Sequence, residues 1–156
     1  MFQKSINKSF TLDGKGLHFG KDVRMAVHPA PADHGIVFKR TDMKGDRAYI
    51  KASFENVSKT YLRTQLTNRF GVSIITAEHI LAAFAGLGIH NALVELSEDE
   101  VPIFDGSSRV FVKAILESGV NELNKKIKLY QVVNSIRVGS SNAWAELRLS
   151  LIHICR

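Results

Sequence analysis

Cysteine is almost absent from this chain of 156 residues, since its single copy, Cys155, is the next-to-last residue. One cysteine cannot build a disulfide framework within the chain, and it cannot supply a metal site made of several thiolates. A protein without disulfides is typical of a reducing compartment. We therefore expect a cytoplasmic location.

Long apolar segments are absent as well. The longest apolar run covers residues 80–89 and is interrupted by Gly86 and Gly88. A helix needs about 20 consecutive apolar residues to cross a bilayer, so we expect no transmembrane segment. Residues 1–5 also lack the apolar centre of a secretory signal.

Basic residues outnumber acidic ones in this chain. It has 21 Lys and Arg against 15 Asp and Glu, which gives a formal net charge of +6 and a pI near 9.6. This balance favours an anionic partner, which could be a nucleic acid, a phosphorylated metabolite or an acidic membrane surface. Net charge alone does not choose among these. Because 45% of the residues are hydrophobic, the chain can bury a core, which excludes a wholly disordered protein.

Strand periodicity dominates the first half of the sequence. Residues 6–57 alternate apolar and polar side chains between glycine-rich turns. Residues 61–67 and 71–75 are predicted to form a strand pair, and residues 91–96 a further strand. These elements favour a mostly antiparallel sheet.

Helical spacing of apolar residues begins at Thr76, which is expected to cap a helix that Gly86 and Gly88 end. A second helix is predicted after an acidic loop, with Asp105 or Ser107 as its cap. Strands with two helices predict an α+β fold. We expect a two-layer domain with the helix pair on one face of the sheet, a layout similar to some ribosomal-protein domains.

The polar stretch 121–126 is predicted to be a linker, because it lacks a clear apolar period. Beyond it the sequence predicts strands at 127–133, 135–138 and 143–149, which are too few for a complete domain. We therefore divide the chain into an N-terminal domain, a linker with the start of a truncated second domain, and a non-native tail that resembles a translated sequencing adapter. The predicted bounds are 1–124, 125–148 and 149–156 respectively.

The pair Glu78 and His79 is the strongest candidate site from the residues alone. Both lie in the predicted first helical turn, where the helix dipole favours a carboxylate. Neighbours on a helix diverge by about 100°, so one side chain could bind a metal while the other handles the water on it. The alternative is structural: the glutamate satisfies the dipole and the histidine covers the sheet edge.

Two loops are weaker candidates. His18 lies within residues 14–20, where three glycines allow close backbone approach, but a glycine-rich hairpin with a solvated imidazole explains it as well. Residues 105–108 could hold a phosphate at a helix N-terminus. Because Asp105 would repel that anion, a helix cap is the better interpretation.

Several motifs then occur together in one order. They closely resemble the UDP-3-O-acyl-N-acetylglucosamine deacetylases of Gram-negative bacteria, and the resemblance covers residues 2–146. The motifs that carry it are residues 16–20, 29–31 with 35–42, 76–83, 86–89 and 102–108.

This resemblance implies a zinc-dependent hydrolase that removes the N-acetyl group from UDP-3-O-acyl-N-acetylglucosamine, the committed step of lipid A biosynthesis. The substrate would be this UDP-linked acylated glucosamine. By resemblance, His79 is a Zn²⁺ ligand and Glu78 is the general base. His18 matches a histidine at the active-site rim, and Leu62 matches a residue that lines the site near the substrate.

The family's second domain supplies the remaining zinc ligands from a His-x-x-x-Asp pair. No such pair follows residue 126, where the only histidine is His153. We therefore expect an inactive fragment that binds zinc weakly and lacks the C-terminal domain of the same enzyme. The alternative is a small basic α+β module that binds RNA. Its basic residues are scattered and lack an aromatic stacking stripe, so no nucleic-acid partner is predicted.

Overall fold

The computed structural model describes residues 1–149 of the chain. Two compact units, Met1–Lys126 and Ile127–Arg156, are described separately below. The described residues form twelve β-strands and two α-helices. The strands are β1 (Phe2–Ile6), β2 (Phe10–Lys15), β3 (Asp22–Pro29), β4 (Ile36–Arg40), β5 (Tyr49–Lys51), β6 (Val57–Lys59), β7 (Gln65–Thr67), β8 (Ser73–Ile74), β9 (Ala92–Leu96), β10 (Val120–Lys126), β11 (Ile136–Gly139) and β12 (Trp144–Leu147), and the helices are α1 (Glu78–Leu87) and α2 (Arg109–Ser118).

A five-stranded sheet in the order β2-β3-β9-β4-β5 is the largest element of the first unit. Its neighbours pair antiparallel except for β4 and β9, which run parallel. Along β3, Val23, Met25 and Val27 are buried while Arg24 is exposed. Since successive strand residues point to opposite faces, this alternation gives the sheet one apolar face and one polar face.

The two helices contact each other and cover the apolar face of this sheet. In α1 the buried residues Ile80, Ala83 and Phe84 follow the helical spacing of three and four, and in α2 Phe111 and Ile115 do the same. They join the buried residues of β3 and β9 in one hydrophobic core. The predicted α+β fold with a helix pair on one sheet face is confirmed.

The start of α1 differs from the prediction. Thr76 does not cap the helix, because its backbone is left-handed, with φ at 61°, and its hydroxyl donates instead to Glu100. Ala77 is the N-cap residue and makes no capping bond through its side chain. The predicted end holds in part. Gly88 takes the left-handed C-cap conformation, whereas Gly86 lies inside the helix.

The start of α2 is also shifted. Ser108 is its N-cap residue, so the predicted caps Asp105 and Ser107 are wrong by position. They form the preceding turn: Asp105 Oδ1 accepts hydrogen bonds from the amide and hydroxyl of Ser107, and Ser107 Oγ accepts one from the Arg109 amide. The Ser107 hydroxyl thus accepts a hydrogen bond from a free backbone N–H at the start of the helix, although Ser107 lies one residue before the N-cap.

The predicted strand pair in the middle of the chain is present but shorter. It is formed by β7 and β8, and β6 pairs with β7 to complete a three-stranded sheet. Asn68 and Gly71 close the turn between β7 and β8, with the Gly71 amide donating to the Asn68 carbonyl oxygen at 3.0 Å. Residues 61–64 are not in a strand.

The predicted linker at 121–126 is wrong, because these residues belong to β10. This strand pairs antiparallel with β1, with Ser5 opposite Asn121 and Phe2 opposite Lys126. Apart from the half-buried Leu123, β10 is exposed on both faces, so it has no apolar alternation for a sequence pattern to reveal. Its partner lies at the other end of the unit in sequence.

The second unit contains an antiparallel hairpin of β11 and β12. Arg137 on β11 lies over the ring of Trp144 on β12, with 4.1 Å between the guanidinium carbon and the ring centroid. The strand predicted at 135–138 is present, shifted by one residue, and the one predicted at 143–149 is present but shorter. The predicted strand at 127–133 is absent from the described residues. The proposed tail at 149–156 lies outside the described residues except for Leu149. Neither helix within residues 1–149 is long and apolar enough to cross a membrane.

Candidate active site

Glu78 and His79 occupy the first turn of α1, and both side chains are partly buried. The carboxylate therefore lies where the helix dipole stabilises negative charge. The backbone amide of Thr64 donates a hydrogen bond of 3.1 Å to Glu78 Oε2. This bond fixes one carboxylate oxygen and leaves Oε1 to interact with a water or a ligand.

Leu62 lies two residues before Thr64, in the segment that Glu78 holds. This residue is 76% exposed, and its backbone is left-handed, with φ at 57°. A non-glycine residue in this conformation is uncommon and costs free energy. The chain therefore presents an apolar side chain to solvent in the segment whose Thr64 amide is bonded to Glu78, at a local conformational cost.

His79 is fixed through its backbone. Ser108, the N-cap residue of α2, donates its hydroxyl proton to the His79 carbonyl oxygen at 2.8 Å. The starts of the two helices are thus joined directly. Because this bond uses the main chain, it leaves the imidazole ring of His79 for other interactions.

The glycine-rich loop that contains His18 connects to the same helix start. The backbone amides of His18 and Phe19 donate to the two carboxylate oxygens of Glu100, at 2.9 and 3.1 Å. The Thr76 hydroxyl donates to the first of these oxygens at 3.0 Å. His18 is exposed, whereas Glu100 is buried. The structure therefore joins the His18 loop to the residue two positions before Glu78.

Residues 105–108 form the turn before α2 already described. The hydroxyl and amide of Ser107 donate to Asp105, and these hydrogen bonds hold the pKa of the Asp105 carboxyl below its ordinary value. The donors that a phosphate would need are therefore used by Asp105 itself. This geometry favours a structural turn at this position.

The described residues do not by themselves fit a bound metal ion. Within residues 1–149 there is no group of three His, Cys, Asp or Glu side chains placed to hold one. The sequence contains one His-x-x-x-Asp spacing, His18 and Asp22. However, Asp22 forms a solvent-exposed ion pair with Lys15 at 2.7 Å. His79 therefore offers a single imidazole, whereas a catalytic zinc site generally uses three protein ligands.

Sequence reasoning missed Glu100. The sequence shows only an acidic run, Glu98-Asp99-Glu100, which is typical of a solvated loop. A signal was nevertheless present, because the apolar Val101 and Pro102 follow directly and both are buried. The residue that enters the core with them is the last acid of the run.

An adjacent carboxylate and imidazole on the first turn of a helix, bordered by a glycine-rich loop, define a candidate site for hydrolytic chemistry on an α+β domain. The model of one protein family, described as LpxC: UDP-3-O-acyl N-acetylglycosamine deacetylase, matches residues 3–151. The chain belongs to this family, which confirms the resemblance drawn from its motifs.

Two curated relatives illustrate the similarity, and both are named UDP-3-O-acyl-N-acetylglucosamine deacetylase. The protein from Pseudoalteromonas atlantica is 44% identical over 146 residues, which cover 94% of this chain and 48% of the relative. The protein from Blochmanniella pennsylvanica is 40% identical over 146 residues, which cover 94% of this chain and 49% of the relative. The chain thus spans about half the length of these relatives.

Proposed function

We propose that this chain is the N-terminal half of a zinc-dependent UDP-3-O-acyl-N-acetylglucosamine deacetylase of lipid A biosynthesis, acting in the cytoplasm. The observation that carries the proposal is the Glu78-His79 pair, fixed on the first turn of α1 by bonds to Thr64 and Ser108. The family membership and the relatives' names support the reaction class. The basic net charge suits a UDP diphosphate.

Glu78 is proposed as the general base. Its Oε2 is fixed by the Thr64 amide, so Oε1 can take a proton from the water that attacks the amide carbonyl. His18 and Leu62 are proposed to bind the substrate. One is exposed on a loop joined to the start of α1, and the other is exposed in the segment that Glu78 holds.

His79 is proposed as one ligand of Zn²⁺. The other ligands would have to come from outside the described residues, in the second domain that the relatives' greater length implies. A bound zinc ion would supply Lewis acidity and a lowered pKa of its water. A chain in which His79 is the only zinc ligand should show no turnover.

The test uses a complete enzyme that carries these residues and measures zinc content and single-turnover rate. Glu78→Ala should lower the rate by roughly 10²- to 10⁴-fold and keep zinc, because the contribution of a positioned base is of this size. His79→Ala should lose zinc, because one ligand is removed. Glu78→Gln separates the base from the tether, since glutamine can still accept the Thr64 hydrogen bond but cannot take the proton.

Three outcomes would contradict the proposal. Normal turnover in both alanine variants would place the site elsewhere. Activity close to wild type in Glu78→Gln would show that Glu78 has only a structural role, as an acceptor of the Thr64 hydrogen bond. Tight RNA binding that falls steeply with salt, in an enzyme without deacetylase activity, would favour the RNA-binding alternative. Glu117→Ala, an exposed glutamate on α2, is the matched control and should behave as wild type.

A further inference from the structure

Glu100 is a carboxylate buried in the protein, with 1% of its surface exposed. Removing a charge from water is costly unless hydrogen bonds replace those of the solvent. Glu100 accepts three hydrogen bonds, two from backbone amides and one from a hydroxyl. Donation to a charged acceptor gives stronger hydrogen bonds than neutral pairs do, so this set offsets the cost of burial.

The donors come from two segments that are far apart in sequence. His18 and Phe19 belong to the loop after β2, and Thr76 lies just before α1. Oε1 receives both the His18 amide and the Thr76 hydroxyl, so a single oxygen atom joins the two segments. The relative position of the His18 loop and the helix start therefore depends on where this carboxylate lies.

The backbone of Thr76 has an unfavourable conformation that the surrounding structure must hold in place. A β-branched residue at a φ of 61° is a genuine conformational outlier. Such a conformation persists only where the surroundings hold it. Thr76 is itself buried, and its hydroxyl bond to Glu100 is one of the contacts that hold it. The turn it makes leads directly into Glu78.

We propose that Glu100 is a positioning residue of the active site. Its carboxylate fixes the His18 loop against the start of α1, and thereby sets the substrate-binding rim relative to Glu78. The expected effect on KM rests on the proposed function. The dependence of the His18 loop on one buried carboxylate does not rest on the reaction that the enzyme catalyses.

The main experiment compares Glu100→Gln with wild type in a complete enzyme. Glutamine has the same shape but only one acceptor oxygen, so it cannot serve three donors, and its NH₂ group opposes an amide N–H. We expect amide hydrogen exchange at His18 and Phe19 to accelerate at least tenfold. We expect KM for the UDP-sugar to rise about tenfold or more, since a misplaced positioning group costs up to about 10²-fold.

The split between KM and kcat separates positioning from mere stability. A less stable enzyme loses active molecules, which lowers the apparent kcat but leaves KM unchanged. Thr76→Val is the complementary variant, because it removes only the hydroxyl and leaves both loop amides bonded to Glu100. It should raise KM as Glu100→Gln does, because the link between the loop and the helix start is broken, while amide exchange at His18 and Phe19 stays close to wild type. Glu98→Gln, at a half-buried neighbour that pairs with Lys21, is the matched control and should change neither constant.

Two results would overturn the inference. The first is unchanged amide exchange at His18 and Phe19 in Glu100→Gln. The second is an unchanged KM in that variant, measured well below its Tm, while wild type is active. If the wild-type enzyme shows no deacetylation, the proposed function fails, and the exchange measurement still decides whether Glu100 positions the loop.

Discussion

The carboxylate of Glu100 lies directly against Gly16, at a distance that leaves no room for a side chain. A Cβ atom on Gly16 would overlap Glu100 Oε2 and would lie 2.7 Å from Cδ of the same residue. Gly16 is therefore required for space. Its neighbour across this contact is held by three hydrogen bonds and cannot simply rotate away.

Gly16→Ala should lower the free energy of unfolding by about 1–3 kcal/mol, the usual cost of overpacking a buried site. In a Glu100→Ala background the same change should cost less than half as much, because the carboxylate it meets is gone. Urea denaturation of the two single variants and the double variant measures this coupling. Gly86→Ala is the control, since a Cβ there meets nothing within 4 Å, and it should be neutral or stabilising. Additive effects of Gly16→Ala and Glu100→Ala would contradict the contact.

The helices were predictable because their apolar spacing is regular, but their first residues were not. Threonine is a residue type that often caps helices, so its position before the apolar spacing predicts a cap at Thr76. Its hydroxyl instead bonds Glu100, which lies in a different loop. The sequence around Thr76 cannot show that the tertiary fold brings another acceptor, the Glu100 carboxylate, close to its hydroxyl.

The strand β10 and the residue Glu100 escaped prediction for related reasons. β10 is polar on both faces, so its identity depends on pairing with β1 at the other end of the unit. Glu100 belongs to an acidic run, and only the apolar Val101 and Pro102 that follow it distinguish this acid from its neighbours. The pair Glu78 and His79 could be selected, because two chemically capable residues at a predicted helix start form a local pattern.

Acid should weaken the fold partly through Glu95. Its hydrogen bond from Lys39, supported by His28, lowers the pKa of Glu95 in the folded protein. A group with a depressed folded pKa stabilises the protein above its unfolded pKa, and this stability is lost as pH falls through the folded value. The free energy of unfolding should therefore decline as pH falls below about 4.3, the ordinary pKa of a glutamate.

Glu95→Gln should reduce the slope of that decline by a fraction of one bound proton, when denaturation is measured from about pH 6 to pH 3. Other carboxyls with lowered pKa values, such as Asp42 beside Arg40, also contribute to the decline, so part of the slope should remain in this variant. Glu117→Gln on α2 serves as the control. An unchanged slope in Glu95→Gln would show that the Lys39 pair is equally formed in the unfolded chain.

The role of β10 can be tested by ending the chain at two positions. A chain that stops after residue 126 keeps the whole of the strand that pairs with β1 and should unfold cooperatively. A chain that stops after residue 119 loses this partner, and β1 becomes an unpaired edge. We expect faster amide exchange across β1 and a Tm lower by several degrees, roughly what 1–2 kcal/mol produces in a domain of this size. Equal protection of β1 in both chains would show that the pairing contributes nothing.

Leu62 should trade stability against substrate binding. An L-residue in the left-handed region costs roughly 1–2 kcal/mol, which exceeds the roughly 0.5–1 kcal/mol that glycine loses in backbone entropy. Leu62→Gly should therefore raise the free energy of unfolding slightly, by up to about 1 kcal/mol. In a complete enzyme the same change should raise KM, because it removes an exposed apolar side chain from the segment whose Thr64 amide is bonded to Glu78.

The matched control for Leu62→Gly is Leu116→Ala, which removes a leucine that is 59% exposed on α2 and should leave KM unchanged. Leu62→Asn provides the second comparison, because asparagine tolerates the left-handed conformation but is not apolar. If the conformation alone matters, asparagine should keep a normal KM. If the apolar side chain binds substrate, asparagine and glycine should both raise KM. A normal KM in both variants would contradict the substrate-binding role of Leu62, and a loss of stability in Leu62→Gly would show that the leucine packs more favourably than its exposure indicates.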